Sequence, residues 1–425
     1  MIGVIADDFT GATDVAGVFR REGLRTLLFF GQPSRPEPGP VDAIVIALKT
    51  RMTPADDAVR RSLAALSWLQ EQHADQIYFK YCSTFDSTER GNIGPVLDAL
   101  AASLGARSVL TTPSSPEHAR TQYEGYLFVD DVLLAESPMR EHPVTPMRDS
   151  SLARLLQAQT RQSVTVLRHA TVRSGTPTIR NAITAAEARG DRYLLVDAID
   201  ADDLRAIGRA ALDAPLLAGA AGLAGGLAAA RAAASPPVGG TQPLAATGFT
   251  DAPAAVLSGS CSPRTLDQIA VLMERGHPGY FLDAMSTSDP AVLAAEALSW
   301  YGTADHTRAP VFYSSADQAE LDRVQRALGA GPSARLLEDA TGRIAVGLIE
   351  RGVRRIVVAG GETSGAIVTA LGVDGGLIGP EAAPGVPWIF ATSGPPVALL
   401  LKSGNFGSAD LLAEAVTRLR YEEAA

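Results

Sequence analysis

The order of apolar segments predicts an α/β protein of two domains, each a mainly parallel sheet flanked by helices. Three observations carry that expectation. The chain opens on a short apolar run, Ile2, Val4 and Ile5, that stops at two adjacent carboxylates, Asp7 and Asp8. Apolar runs of strand length then alternate with helix-periodic segments through residue 110, the pattern of βα units. From Ala254 onward a second alternation of the same kind runs through the remaining residues.

The opening run reads as a strand buried on both faces. Thr10-Gly11-Ala12-Thr13 open a helix whose apolar face is Val15, Val18 and Phe19. Asp7 and Asp8 therefore stand where a strand ends and a helix begins, the place of a ligand crevice in an open α/β sheet. One of them is a natural cap for the helix, but a cap needs only one carboxylate.

Strands follow at 25–30, 42–48, 77–81 and 108–111, with helices at 55–72 and 93–104. Residues 125–136 break the alternation: 126–129 and 132–134 flank Asp130-Asp131 and read as a β-hairpin. The α/β order resumes with 152–159, 164–167, 178–188 and 193–197. Residues 218–234 are so rich in Gly and Ala that a helix there must pack very closely. Pro236-Pro237 and Gly239-Gly240 then mark a linker over 235–253. The expected domains are thus 1–234 and 254–425. Strands of the second are expected at 255–257, 311–313, 355–358, 388–390 and 397–401.

Composition excludes several classes. Hydrophobic content of 46% with 20% charged residues is that of an ordinary globular protein. Net charge is −10 and no basic run is present, which argues against nucleic acid and anionic membranes. Cys82 and Cys261 stand far apart, so neither a disulfide framework nor a cysteine metal site is expected. Six scattered histidines give no metal-binding spacing. No segment resembles a signal or a membrane span, so a cytoplasmic protein is expected. Nothing in the chain sets its oligomeric state; a homodimer is carried as an expectation.

Of 37 basic residues only Lys49, Lys80 and Lys402 are lysine. Lys80 lies in Phe79-Lys80-Tyr81-Cys82-Ser83-Thr84-Phe85-Asp86-Ser87-Thr88, a short strand with dense polar residues behind it. Lys80, Ser83, Thr84 and Asp86 together can bind several hydroxyls and a carboxylate, as a small polyhydroxy acid requires. Arg51 follows the strand at 42–48 and can grip a carboxylate through two parallel hydrogen bonds.

In the second half, Gly360-Gly361-Glu362-Thr363-Ser364-Gly365 joins a strand to a helix N-terminus, a natural phosphate seat. Ser258-Gly259-Ser260-Cys261-Ser262 and Lys402-Ser403-Gly404-Asn405-Phe406-Gly407 follow two other strands. Three such loops in one domain look like a nucleotide site. Neither a P-loop nor a Rossmann fingerprint occurs, and no nucleophile elbow is present.

These stretches resemble the four-carbon acid sugar kinases, and among them most of all the 3-oxo-tetronate 4-kinases. The resemblance rests on Ala6-Asp-Asp-Phe-Thr-Gly-Ala-Thr-Asp14, Lys80–Thr88 with Gly91-Asn-Ile-Gly-Pro-Val96, Gly360–Gly365, Pro384-Gly-Val-Pro387 and Lys402–Gly407. It spans nearly the whole chain, in the family's order. It implies an N-terminal acid-sugar domain, a C-terminal nucleotide domain and ATP-dependent phosphorylation of O4 of a 3-oxo-tetronate. It places ATP contacts on Ser258, Gly360, Gly361, Glu362, Thr363 and Gly404. Mg²⁺ is the expected companion of ATP, with no dedicated protein metal site; whichever of Asp7 and Asp8 is not the base would orient the substrate or help hold Mg²⁺ through water.

Asp8, or else Asp7, is the expected general base for the O4 hydroxyl. Arg51 and Lys80 would take the carboxylate, with Ser83, Thr84 and Asp86 on hydroxyls. The chain departs from the family's usual P-E-N-G-R at Pro116-Glu117-His118-Ala119-Arg120, and from G-G-S-G at Gly219-Ala220-Ala221-Gly222. D-threonate or D-erythronate is therefore the alternative substrate. A non-catalytic acid-sugar sensor with a regulatory nucleotide is the competing class; a dehydrogenase lacks its fingerprint.

Overall fold

The computed structural model describes residues 1–34, 39–142, 145–235 and 248–417. The chain divides into two compact units, Met1–Thr241 and Gln242–Ala425. Residues 236–247 of the expected linker lie outside the described residues.

The first unit is built on β1 (Ile2–Ala6), β2 (Thr26–Phe30), β3 (Ala43–Ala47), β4 (Gln76–Lys80) and β5 (Val109–Thr112). β6 (Arg120–Tyr123), β7 (Tyr126–Val129) and β8 (Val132–Leu133) form a small antiparallel sheet. β9 (Val164–Leu167), β10 (Tyr193–Val196) and β11 (Leu216–Gly219) rejoin the large one. Its strands run in the order β2-β3-β1-β4-β11-β5-β10-β9, every neighbouring pair parallel. β1, β3 and β4 are buried at every residue, which explains why they read as continuous apolar runs rather than alternating ones.

The expected hairpin forms, with Val129 opposite Val132. β6 adds a strand that polar Arg120-Thr121-Gln122-Tyr123 did not announce. The helix expected to begin at residue 218 begins at Ala221 instead, because Leu216–Gly219 is a central strand. Its close packing is real. A Cβ on Gly226 would stand 2.1 Å from the Leu204 carbonyl oxygen, and one on Gly208 2.2 Å from the Gly226 oxygen, so the helices Ala201–Ala210 and Ala221–Ala234 meet backbone to backbone.

The second unit contains β12 (Ala254–Ser258), β13 (Gly279–Phe281), β14 (Val311–Tyr313), β15 (Arg355–Ala359), β16 (Gly375–Ala383), β17 (Val386–Ala391) and β18 (Ala398–Lys402). Their order is β13-β14-β12-β15-β18-β17-β16. β13 to β18 across this order are parallel, and β17 is antiparallel to both its neighbours. A core of Val256, Leu272, Val357, Trp388, Phe390, Leu400 and Leu412 fills this unit. β16 escaped the sequence reading because Gly375, Gly376, Gly379 and Pro380 argue against a strand. Its register with β17 shifts between Ile378 and Ala383, and Gly379 leaves room for the Phe390 ring.

Gly226→Ala is expected to force the two glycine-lined helices apart and to cost about 1–3 kcal/mol. Chemical denaturation checks this; an unchanged midpoint and slope would contradict the close approach.

Candidate functional site

Residues Ala6, Ala47, Lys80, Gly219 and Thr112 are aligned across neighbouring strands at the carboxyl edge of the first sheet. The chain therefore leaves the sheet there at one level, and the expected site residues follow directly. Asp7 N–H donates to the Lys80 carbonyl at 3.0 Å. The Thr50 and Arg51 N–H groups donate back to the Asp7 carbonyl at 2.7 and 3.1 Å, with Lys49 in the left-handed region at φ 54°. The loop after β3 thus wraps around Asp7.

That wrap aims the Arg51 side chain inward. Its Nε and Nη2 donate to Asp7 Oδ2 and Oδ1, each at 2.9 Å. Nη2 also lies 2.8 Å from Asp8 Oδ1, and Nη1 stands 3.9 Å from Asp86 Oδ2. The bidentate grip expected on a substrate carboxylate is thus engaged by Asp7, and Nη1 is the edge left toward Asp86. Burial alone would ease the proton off Arg51; Asp7 and Asp8 override it and hold the guanidinium firmly charged.

Asp7 is buried, whereas a quarter of the Asp8 side chain is exposed. Asp8 caps the helix Phe9–Arg21, accepting from Gly11 N–H at 2.9 Å. Asp8 thus caps the helix and still presents carboxylate surface. Burial pushes its carboxyl above the usual carboxylate range, and Asp7 adds to this, against Arg51, Lys80 and the Gly11 N–H.

Lys80 is buried and donates to the Tyr81 carbonyl at 2.9 Å. A Cβ on Gly11 would fall 2.7 Å from Lys80 Nζ and 2.4 Å from Asp8 Oδ1, so only glycine lets this ammonium and this carboxylate share the helix entrance. Thr84 Oγ1 donates to Asp86 Oδ1 at 2.6 Å and meets Cys82 Sγ at 3.0 Å. Burial pushes the Cys82 thiol up to about 11, which makes it a neutral packing group rather than a nucleophile. Ser83 is half-buried on the same loop.

Asn92 went unrecognised in the sequence. It stands at the start of the helix Ile93–Leu104 but makes no cap bond. Its Nδ2 instead donates to the carbonyls of Thr50 at 2.9 Å, Thr53 at 3.0 Å and Arg51 at 3.3 Å, fixing the loop that carries Arg51.

The second unit shows a comparable edge. Ser258, Ala359 and Lys402 are in register at the ends of β12, β15 and β18, so the three glycine-bearing loops emerge together. Ser258 Oγ meets Ser315 Oγ at 2.7 Å. Gly360 N–H donates to the Lys402 carbonyl at 3.0 Å. Gly360 has φ 122°, and Cβ atoms on Gly259 and Gly360 would press on Thr363 Oγ1 at 2.3 and 3.1 Å. Gly361 and Glu362 are exposed in the first turn of the helix Gly361–Ala370. The Gly404 carbonyl accepts from Ser262 Oγ at 2.6 Å, Thr265 Oγ1 at 2.9 Å and Lys402 Nζ at 2.9 Å.

Comparison with known proteins gives a family match for each unit. Residues 2–227 fit the family described as the sugar-binding N-terminal domain, and residues 255–412 the nucleotide-binding C-terminal domain. A 3-oxo-tetronate kinase of Pseudomonas savastanoi pv. phaseolicola is 44% identical over 99% of this chain and 97% of its own length. One from Cupriavidus necator is 43% identical with the same coverage.

The chain belongs to the 3-oxo-tetronate kinase family.

A solved structure from Salmonella typhimurium LT2, described as a tRNA synthase, superposes with a TM-score of 0.90 at 41% identity, covering 97% of this chain and 98% of that one. A Haemophilus influenzae structure gives 0.84 at 39% identity over 97% of this chain and 98% of that one. Within this family's frame, the two departures noted above lie close together. Ala119 takes φ 56°, a conformation that suits glycine. His118 Nε2 stands 3.6 Å from Asp14 Oδ1, and Asp14 draws its pKa up against burial. Gly222 N–H donates to Ser115 Oγ at 3.1 Å. Ser115, His118, Ala221 and Gly222 line a cleft of about 230 Å³; none of the expected site residues does.

Arg51→Ala would leave the buried Asp7 and the partly exposed Asp8 without their shared cation, at a cost of up to about 3–5 kcal/mol, read as a lower denaturation midpoint. Ala119→Gly trades left-handed strain against chain entropy and is expected to gain up to about 1 kcal/mol; a clear loss in Tm would show that the methyl group packs usefully.

Proposed function

We propose that this chain is an ATP-dependent kinase that phosphorylates O4 of a 3-oxo-tetronate, a phosphotransferase with an alcohol as acceptor. One observation carries the mechanism: Asp8 presents a partly exposed carboxylate with a raised pKa beside a buried, fully paired Asp7. A base for an alcohol is most useful when its pKa approaches the working pH while it remains ionised. Asp8 then takes the O4 proton as the hydroxyl attacks the γ-phosphorus and the bond to the β,γ-bridging oxygen breaks to release ADP, and Asp7 holds Arg51 in place. Asp8 is thus preferred over Asp7 as base.

Lys80 and the Nη1 edge of Arg51 supply positive charge for the acid's carboxylate, with Ser83, Thr84 and Asp86 for its oxygens. ATP is assigned to Ser258, Gly360, Gly361, Glu362, Thr363 and Gly404, where backbone N–H groups and a helix N-terminus favour phosphate. Phosphoryl transfer needs chiefly position and charge neutralisation. Among the described residues no group of three or more His, Cys, Asp or Glu side chains is placed to hold a metal ion. Mg²⁺ would be carried largely by the nucleotide's phosphates and water, its charge easing that on the transferred group.

Among the described residues no helix is long and apolar enough to cross a membrane; we assign the enzyme to the cytoplasm and keep a homodimer as the working assembly. The altered loop at His118-Ala119 and Ala221 supports one second reading, the same chemistry on D-threonate or D-erythronate.

ADP release with Mg·ATP across these four-carbon acids separates the readings. Turnover with the 3-oxo acid supports the first; turnover confined to threonate or erythronate moves the substrate; silence with ATP still bound would favour a sensor. Asp8→Asn keeps a good helix cap and removes a charge that burial disfavours, so Tm at neutral pH is expected to hold while kcat falls at least about 100-fold. Unchanged turnover would remove Asp8 as base.

A further inference from the structure

Lys402 is a buried ammonium with an unusual shortage of partners. It is 2% exposed. Two of its three N–H donors are used, one on Thr265 Oγ1 at 3.0 Å and one on the Gly404 carbonyl at 2.9 Å. Both acceptors are neutral, and among the described residues no carboxylate pairs with it. Arg264, on the helix Pro263–Glu274 that also supplies Thr265, adds positive charge nearby. Burial, with Arg264 behind it, brings the lysine down to about 8.

A buried charge without a counter-charge costs stability. The contrast with Arg51 is direct, since the half-buried Arg51 is paired with two carboxylates. Around Lys402 the surrounding groups are hydroxyls and backbone: Ser260, Ser262 and Thr265 interlock through Oγ contacts of 3.1–3.3 Å. The Lys402 carbonyl also receives Gly360 N–H, so the same residue underlies two of the three loops. The ammonium itself lies between the Thr265 hydroxyl and the Gly404 carbonyl, and among the described residues no anion faces it.

Building on the nucleotide reading above, we propose that Lys402 is the positioning residue that makes this site select a phosphorylated nucleotide: its ammonium holds the Gly404 turn and supplies the charge that the bound phosphates neutralise. The ligand class is a nucleoside di- or triphosphate, and the free nucleoside gains nothing from it. Lys402 acts through the Gly404 carbonyl and through its field rather than by entering the reaction.

The test compares dissociation constants of ATP and adenosine by calorimetry on the full chain and on Lys402→Gln and Lys402→Met. Two uncharged variants are used so that one that misfolds leaves the other to decide; removing an unpaired buried charge is expected to leave Tm unchanged or higher. The expected result is ATP affinity weakened at least about tenfold, the order of one charge-assisted contact, with adenosine affinity within about twofold. Lys402→Arg, which keeps the charge, is expected to retain part of the preference for ATP. Equal weakening of ATP and adenosine would reduce Lys402 to a structural prop and overturn the proposal, as would ATP affinity unchanged in both uncharged variants. Should the unaltered chain bind neither ligand, it is the nucleotide reading itself that falls.

Discussion

The fork of Arg51 on Asp7 is the interaction on which the first unit's functional edge depends. Two adjacent carboxylates at the end of a buried strand repel each other, and burial raises the cost of ionising either. One guanidinium answers both problems. It takes Asp7 through two parallel bonds and touches Asp8 with the same Nη2. Everything nearby serves that placement: the loop wraps the Asp7 carbonyl, Asn92 ties down three carbonyls of the loop, and Gly11 leaves space where a methyl group would strike Asp8 and Lys80.

The consequence is a division of labour between neighbours. Asp7 is enclosed and doubly bonded to Arg51, with little surface left for a ligand. Asp8 has one bond to the Gly11 N–H, one contact with Arg51, and exposed surface. The helix dipole and Arg51 favour its ionised form while burial and Asp7 oppose it, and the balance leaves a carboxylate more basic than one in water. The second unit follows the opposite logic. Its loops are knitted by hydroxyls and carbonyls around a lysine that no carboxylate among the described residues compensates.

Much of this was legible in the sequence. Residues 2–6, 43–47 and 356–359 are apolar on both faces and could be little else than central parallel strands. Three glycine-bearing loops after strands pointed to one edge of the second unit, and register places Ser258, Ala359 and Lys402 side by side there. What stayed hidden depends on direction rather than residue type. An arginine after β3 was visible, but its commitment to Asp7 is set by the left-handed turn at Lys49. Asn92 sits where an asparagine would ordinarily cap a helix and instead reaches across to another loop. β16 carries glycines that mask a strand, because its partner Phe390 fills the space their missing side chains leave.

The measurement closest to the central claim is the pH dependence of kcat/KM with the acid sugar, at saturating Mg·ATP. The environment of Asp8 raises its pKa, so activity is fully present only above that raised value and falls as the pH drops through it. The account predicts an acid limb lying clearly above about 3.9, the ordinary aspartate value, and lost from the residual rate of Asp8→Asn. An acid limb at or below the ordinary value, or one that survives the substitution unchanged, would contradict Asp8 as the base that Arg51 and Asp7 prepare.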